Sequence, residues 1–353
     1  MKASMISALR ATAFLGLLVS GPTMAAAAED SAEWQAVIAA AKAEGQVSCY
    51  CSSTNDVVAG IAKIMQERYG IQVNISGGRG NEVAERVRSE QAAGRFLGDV
   101  VMNSTTTLYT HNEEHALAPI PKPLPRLAAL PESYERHDTY FPAYNIAFGL
   151  LINTDLVPES EEPKSWNDLL DPKWSGKIIL DDPRAFSAGG AVFRATTFTL
   201  GRDFAEKFAA QKPVITVDFG GSERRVALGE FPIMVPGTIL IHLKNVKDGS
   251  PLPIKFLGIE PGIAATEFSV GLLKNAPHPN AARLLMNEFL SVEGQLTFVD
   301  VGYAPVMPDA IAELPEDLRK VMSFKTLKNP PVAEVPSYRE LAAQIYGATN
   351  TNR

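Results

Sequence analysis

Two cysteines in 353 residues exclude a disulfide scaffold and a thiolate zinc centre, both of which need more thiols. Cys49 and Cys51 lie two apart in a strand-like run, so both thiols share one face. A bridge between them would bend that strand, and the expectation is two buried free thiols acting as small hydrophobes. A basic tract is also missing, and the net charge is -7, which speaks against nucleic acid as partner. Past the first twenty residues no apolar run reaches the length of a membrane span. There is no internal repeat of solenoid length.

Several catalytic signatures are incomplete. The segment SGGRG (76–80) lacks the lysine of a phosphate loop. Ser222 in GGSER lacks the second glycine of a nucleophile elbow. His111 and His115 have the i, i+4 spacing of metal ligands, but Asn112 stands where a zinc protease needs glutamate, so the pair reads as a solvated helix face. No histidine has a nucleophile partner at motif level. These gaps argue against an enzyme, and neither a cofactor nor a metal is expected.

What is present begins with the amino terminus. Lys2 and Arg10 flank the apolar run Ala11 to Val19, followed by Gly21-Pro22 and the small-residue stretch Met24 to Ala28. A basic start, a short apolar core and an A-x-A site make a signal peptide over residues 1–28, cut near Ala26–Ala28. The mature chain is then periplasmic, and with no cysteine at the processing site it is not lipid-anchored there. With 46% hydrophobic and 21% charged residues, the whole chain has an ordinary globular composition and is long enough for two lobes.

The stretch from Val47 to Ser104 has βαβαβ grammar, with three strand-like runs (VSCYC, IQVNIS, DVVM) separated by two amphipathic segments. Parallel sheets gather ligands beyond the carboxyl ends of their strands. Here those ends carry Ser52, Ser53 and Thr54, then Gly77, Gly78 and Arg79, then Asn103 and Ser104. The tips are rich in donors and their one formal charge is positive, which suits a small polar anion.

Further on, prolines crowd residues 119–131, an extended connection rather than a helix. A long apolar strand is expected over Tyr144 to Asn153, and shorter ones at 178–180, 214–217, 232–235 and 268–273. Arg184, Ser187, Ala188 and Gly189 precede a helix in the same strand, tip, helix order, and exposed N–H groups at a helix start suit an anion. Thr238 ends the 232–235 strand, and Tyr303 sits in the turn Gly302 to Pro305.

Several stretches taken together resemble one family. They are GQVSCYCSS, GIQVNISGGRGNE, DVVMNS, LINTDLVPESEEPKSWNDLLDPKWSGKI, LGEFPIMV, LLKNAPHPNAARLLMNEFLSVEGQ and GYAPV. This is similar to the periplasmic solute-binding proteins of ABC transporters, in the branch that includes the ferric-ion-binding proteins. The resemblance covers nearly the whole mature chain. It implies an α/β fold of the two-lobed type II periplasmic-binding kind, each lobe a mixed, mainly parallel sheet flanked by helices. Lobe 1 would take residues 29–143 and lobe 2 residues 144–262. Residues 263–300 would return to lobe 1, and 301–353 would form helices packed on the lobes.

The chain departs from the ferric binders. Their adjacent tyrosines fall where this sequence reads PGTILIHLK, and a guanidinium at Arg79 would oppose ferric ion. The resemblance therefore implies an importer component that closes on a small anionic organic solute, a carboxylate, phosphonate or phosphorylated compound. It would act as a monomer and deliver the solute to a membrane permease. Ser53, Thr54, Arg79, Asn103 and Ser104 would contact ligand from lobe 1. Arg184, Ser187, Ala188, Gly189 and Thr238 would do so from lobe 2, with Tyr144 and Tyr303 near the crossing. The alternatives are a ferric-ion-binding protein and an exported enzyme on a bilobed fold.

Overall fold

A computed structural model describes residues 28–52, 55–185, 187–239, 252–322 and 325–347. Of the signal-peptide reading over residues 1–28, all but Ala28 lies outside them. The first helix, α1 (Ala32–Glu44), starts at Ser31, whose hydroxyl accepts the Trp34 N–H at 3.2 Å, and stops at Gly45 in the left-handed region (φ 71°). Trp34, Val37 and Ala41 are its buried stripe.

The βαβαβ unit forms as read. It comprises β1 (Gln46–Cys51), α2 (Asn55–Tyr69), β2 (Gln72–Gly77), α3 (Gly80–Ala92) and β3 (Val100–Ser104). β1 is central, paired in parallel with β2 on one edge and β3 on the other. Val47, Cys49 and Cys51 enter one core layer and Tyr50 the opposite one. Both faces are covered, which is why the strand reads as almost continuously apolar.

The two thiols are not free. Cys49 and Cys51 form a disulfide with Cα atoms 5.7 Å apart, and both residues are fully buried. That separation is inside the range a disulfide spans. It is reached over the last residues of β1, where the pairing with β3 ends at Cys51 opposite Met102. The bridge fills the place expected for two small hydrophobes.

α4 (Thr105–Glu113) follows β3 directly. His111 lies on its inner face with no exposure at all, beneath Glu114 at 3.5 Å, so it is not part of a solvated face. His115 is exposed beyond the helix end, in a left-handed conformation (φ 55°). No group of three or more His, Cys, Asp or Glu able to hold a metal occurs among the described residues.

Two strands cross the molecule. β4 (Tyr140–Asn153) begins four residues before the expected Tyr144, and β9 (Ala264–Leu272) begins four before Phe268. The early part of β4 pairs antiparallel with β9, its late part with β7 (Ile233–Thr238) and β8 (Ile254–Leu257), a strand the sequence reading missed. Beyond β7 lie β5 (Ile178–Asp181) and β6 (Val214–Thr216). One mixed ten-stranded sheet results, in the order β2-β1-β3-β9-β4-β7-β5-β6, with β8 and β10 (Ala304–Pro305) also on β4. The last was read as a turn. Close approach at the crossing needs glycine: a Cβ on Gly149 would sit 2.3 Å from the Leu257 carbonyl oxygen, and one on Gly237 2.3 Å from the Leu151 nitrogen.

Each lobe has its own core. In the first, Trp34, Ile61, Met65, Phe141, Phe289 and Phe298 pack between the sheet and α8 (Pro279–Phe289) and α9 (Val292–Asp300). In the second, Trp166, Trp174, Phe204 and Phe208 pack with α5 (Ala188–Leu200) and α6 (Arg202–Ala210) against β5 and β7. α7 (Phe219–Ala227) follows β6. After α10 (Pro308–Ala312) and α11 (Glu316–Met322), the helix α12 (Val335–Tyr346) lies on α5 and α6, burying Ala342 against Phe193 and Ala205.

Candidate functional site

Strand direction places the candidate site. β1, β2 and β3 end at one edge of lobe 1. β5, β6 and β7 run parallel to one another and antiparallel to β4, so their ends turn back towards the crossing. The two sets of tips thus approach the same region, the usual ligand position for open α/β sheets.

In lobe 1, Ser53 and Thr54 lie outside the described residues. Ser52, next to them, donates its N–H to the Met102 carbonyl, and its buried hydroxyl has no partner among the described residues. Arg79 is the N-cap of α3; its N–H donates to the Glu82 carboxylate at 3.0 Å. Glu82 is thereby committed to the helix start. The Arg79 side chain is exposed and forms no ion pair with a described residue.

Asn103 has a structural task. It is 2% exposed, its amide donates to the Gly80 carbonyl at 2.9 Å, and its oxygen accepts the Ser104 N–H at 2.8 Å. It fastens the β3 tip to the first turn of α3 and has little surface left for ligand. Ser104 caps α4, its oxygen 3.0 Å from the Thr107 hydroxyl. The half-buried hydroxyl still borders the tip region.

Lobe 2 departs further from the reading. The start of α5 already holds an anion of the protein's own: the Gly189 N–H donates to Asp181 Oδ2 at 2.6 Å, and both residues are buried. The helix dipole there is complemented by that carboxylate. Arg184 grips Asp182 through Nε at 2.8 Å and Nη2 at 3.0 Å, and reaches the Gly347 carbonyl with Nη1 at 3.1 Å. Its charge ties this loop to the chain after α12 rather than standing free in the cleft. The Ser187 hydroxyl donates to the Asp182 carbonyl at 3.3 Å, and Ala188 beside it is partly exposed. The Thr238 hydroxyl donates to Glu223 at 3.2 Å.

The two tyrosines are packed. Tyr144 is fully buried and stacks on Phe268 at 4.9 Å and on Tyr303 at 4.8 Å. It belongs to the core under the crossing and does not line the cleft. Tyr303 is only partly buried, and burial pushes its phenol above the ordinary range.

One polar group at the crossing was missed. Glu267 on β9 lies opposite Asn145 on β4, and its Oε1 accepts the Thr105 hydroxyl at 2.9 Å, just past the β3 tip. Thr105 Oγ1 is also 2.7 Å from Ser269 Oγ. Burial pushes the Glu267 carboxyl up, the Thr105 hydrogen bond pulls it down, and Glu135 pushes it up. The signal was available: Glu267 is the single charge in the strand AATEFSVGL. A cavity of about 520 Å³ lies apart from all these tips, lined by Glu162, Lys164, Leu257, Glu260 and Lys325 where β8 leads into β9. None of its lining side chains holds a buried polar atom without a partner.

A family model for the bacterial extracellular solute-binding proteins matches residues 60–320. The chain belongs to this family. It is accordingly the solute-binding component of an ABC transporter, whose family members deliver ligand to a permease. An uncharacterized protein of Haemophilus influenzae is 28% identical over 279 residues, 74% of this chain and 77% of that one. The two-lobed fold is shared with solved periplasmic binding proteins. The Trichodesmium protein IdiA (FutA), in complex with iron and citrate, has a TM-score of 0.71 and 21% identity over 86% of this chain and 100% of its own. AfuA from Actinobacillus pleuropneumoniae, with exogenous fructose-6-phosphate bound, has a TM-score of 0.61 and 19% identity over 86% and 97%. These neighbours hold different ligands on one fold.

Proposed function

We propose that this solute-binding protein works in the periplasm as a monomer and captures a small organic anion by closure of its lobes. A carboxylate, a phosphonate or a phosphorylated compound fits. The observation that carries the reading is Arg79. It is an exposed guanidinium at a strand tip, at the start of α3, with no ion-pair partner among the described residues. A charge-assisted contact from it to a carboxylate or phosphate is stronger than a neutral hydrogen bond. Ser104 ends the neighbouring strand and Ala188 in lobe 2 is partly exposed, while Arg184 is committed to Asp182. The phosphorylated ligand of AfuA supports the same chemical class.

Ligand that touches both lobes stabilises the closed form by its differential affinity for closed over open. The permease then reads closure as loading. Thermal unfolding against a panel of carboxylates, phosphonates, sugar phosphates and ferric citrate tests this. A ligand at a hundred times its dissociation constant adds about 2.7 kcal/mol. Stabilisation by one anion class, lost in Arg79→Ala, is the expected result. Stabilisation by ferric citrate alone, or an anion whose affinity Arg79→Ala leaves unchanged, overturns the reading.

A further inference from the structure

Glu267 is a partly buried carboxylate with no cation beside it among the described residues. Oε1 takes the Thr105 hydroxyl at 2.9 Å, while Oε2 has no hydrogen-bond partner among the described residues. No lysine, arginine or histidine among those residues comes within ion-pair distance of it, whereas several other buried acids are paired or capped. Asp182 has Arg184, Asp181 has the Gly189 N–H, Glu288 has Arg68, and Asp99 has His278 and the Ser48 N–H. The groups facing Glu267 are oxygens: Thr105 from α4, Ser269 along β9, and the Tyr134 phenol held by Asn145 from β4, with Glu135 beyond. An ionised carboxylate left this way is costly unless it takes up a proton or something outside the chain compensates it.

Its place suggests what does. Glu267 lies one step past the β3 tip, because Ser104 pairs with Phe268 and Thr105 follows. Across that same tip, Asn103 joins β3 to the first turn of α3, which begins beside Arg79. A free cation and an uncompensated carboxylate therefore flank one strand end.

We propose that Glu267 receives an ammonium group of the ligand, so that the solute is a small zwitterion with its acidic end at Arg79. This rests on the anion reading above. An ammonium has three donors, and Glu267 Oε2 and the Tyr134 hydroxyl offer acceptors around it. A single carboxylate among neutral oxygens suits an ammonium better than a hard multivalent metal, which takes several anionic ligands. The same carboxylate would repel an anion without an amine, which makes it a selectivity device as well as a contact.

The test uses matched pairs with and without the amine: 2-aminoethylphosphonate and ethylphosphonate, β-alanine and propionate, γ-aminobutyrate and butyrate. Ethylamine serves as a cation-only control. Binding is measured by calorimetry to the purified protein and to Glu267→Gln, with unliganded melting confirming that the variant folds. The amine-bearing member of at least one pair should bind tenfold or more tightly to the parent protein, and that preference should fall towards one in Glu267→Gln. Equal binding within every pair, or a preference that survives Glu267→Gln, overturns the inference and leaves the anion reading in place. The amine-free acids should also bind more tightly as pH falls from 7 to 5 in the parent but not in Glu267→Gln, because a protonated Glu267 no longer repels them. Ethylamine binding that Glu267→Gln abolishes, with all acids inert, upholds the Glu267 contact and overturns the anion reading.

Discussion

Gln295 on α9 is fully buried, and both ends of its amide are used. Nε2 donates to the carbonyls of Ala143 at 2.7 Å and Phe289 at 2.6 Å; Oε1 accepts the N–H groups of Val306 at 2.7 Å and Met307 at 3.2 Å. One side chain thus joins the crossing strand β4, the end of α8 and the segment after β10. Gln295→Leu keeps much of the volume and removes all four bonds. The two carbonyls keep a second lone pair, but the two N–H groups lose this acceptor in a buried site. At about 1–3 kcal/mol for each buried unsatisfied donor, the cost is about 2–6 kcal/mol. That is a large share of a typical stability of about 5–15 kcal/mol. At about 2 °C per kcal/mol for a chain of this size, the melting midpoint should fall by about 4–12 °C. Urea unfolding followed by tryptophan fluorescence measures the same loss.

Gln295→Glu adds a sign to the test. An ionised carboxylate would face two carbonyl oxygens, so its folded-state pKa lies above the unfolded value. The variant therefore loses stability relative to the parent as pH rises from about 4.3, until the folded pKa is passed. A Gln295→Leu midpoint within about 0.5 kcal/mol of the parent, a span typical of surface substitutions, would refute the reasoning. So would a Gln295→Glu deficit that shrinks with rising pH.

Two other perturbations follow from packing. Burial holds the His111 imidazole below its ordinary pKa, partly offset by Glu114. The unfolded chain then binds the proton more readily, so stability falls as pH drops below about 6.5; His111→Phe should flatten the melting profile between pH 7 and 5, and an unchanged slope would count against the assignment. Gly149→Ala drives a methyl to 2.3 Å from a backbone oxygen that cannot move away; a loss of about 1–3 kcal/mol in urea unfolding is expected, and a neutral result would mean that β4 and β8 do not meet this closely.

The sequence by itself determined much of this protein. Local periodicity and turn residues located β1 to β3 and the helices between them, because each buries one face against a neighbour close in the chain. Arg79 at its strand tip was legible for the same reason, since a strand followed by a capped helix fixes where its first residues point. The family stretches carried the two-lobed fold. Tertiary structure decided what long-range pairing controls. β8 was missed because four residues carry too little periodicity, and its place depends on the late part of β4. The Cys49–Cys51 bridge was read as free thiols because local strand geometry disfavours it; only the full fold shows the Cα atoms close enough. His111 was placed outside because its helix has a weak apolar stripe, and the sheet beneath buries it. In lobe 2 the sequence showed a helix start and an arginine suited to an anion. It did not show that Asp181, at the end of β5, and Asp182, just after it, reach both first. Glu267 stood in plain view, but its lack of a cation is a property of the space around it, and only the folded chain defines that space.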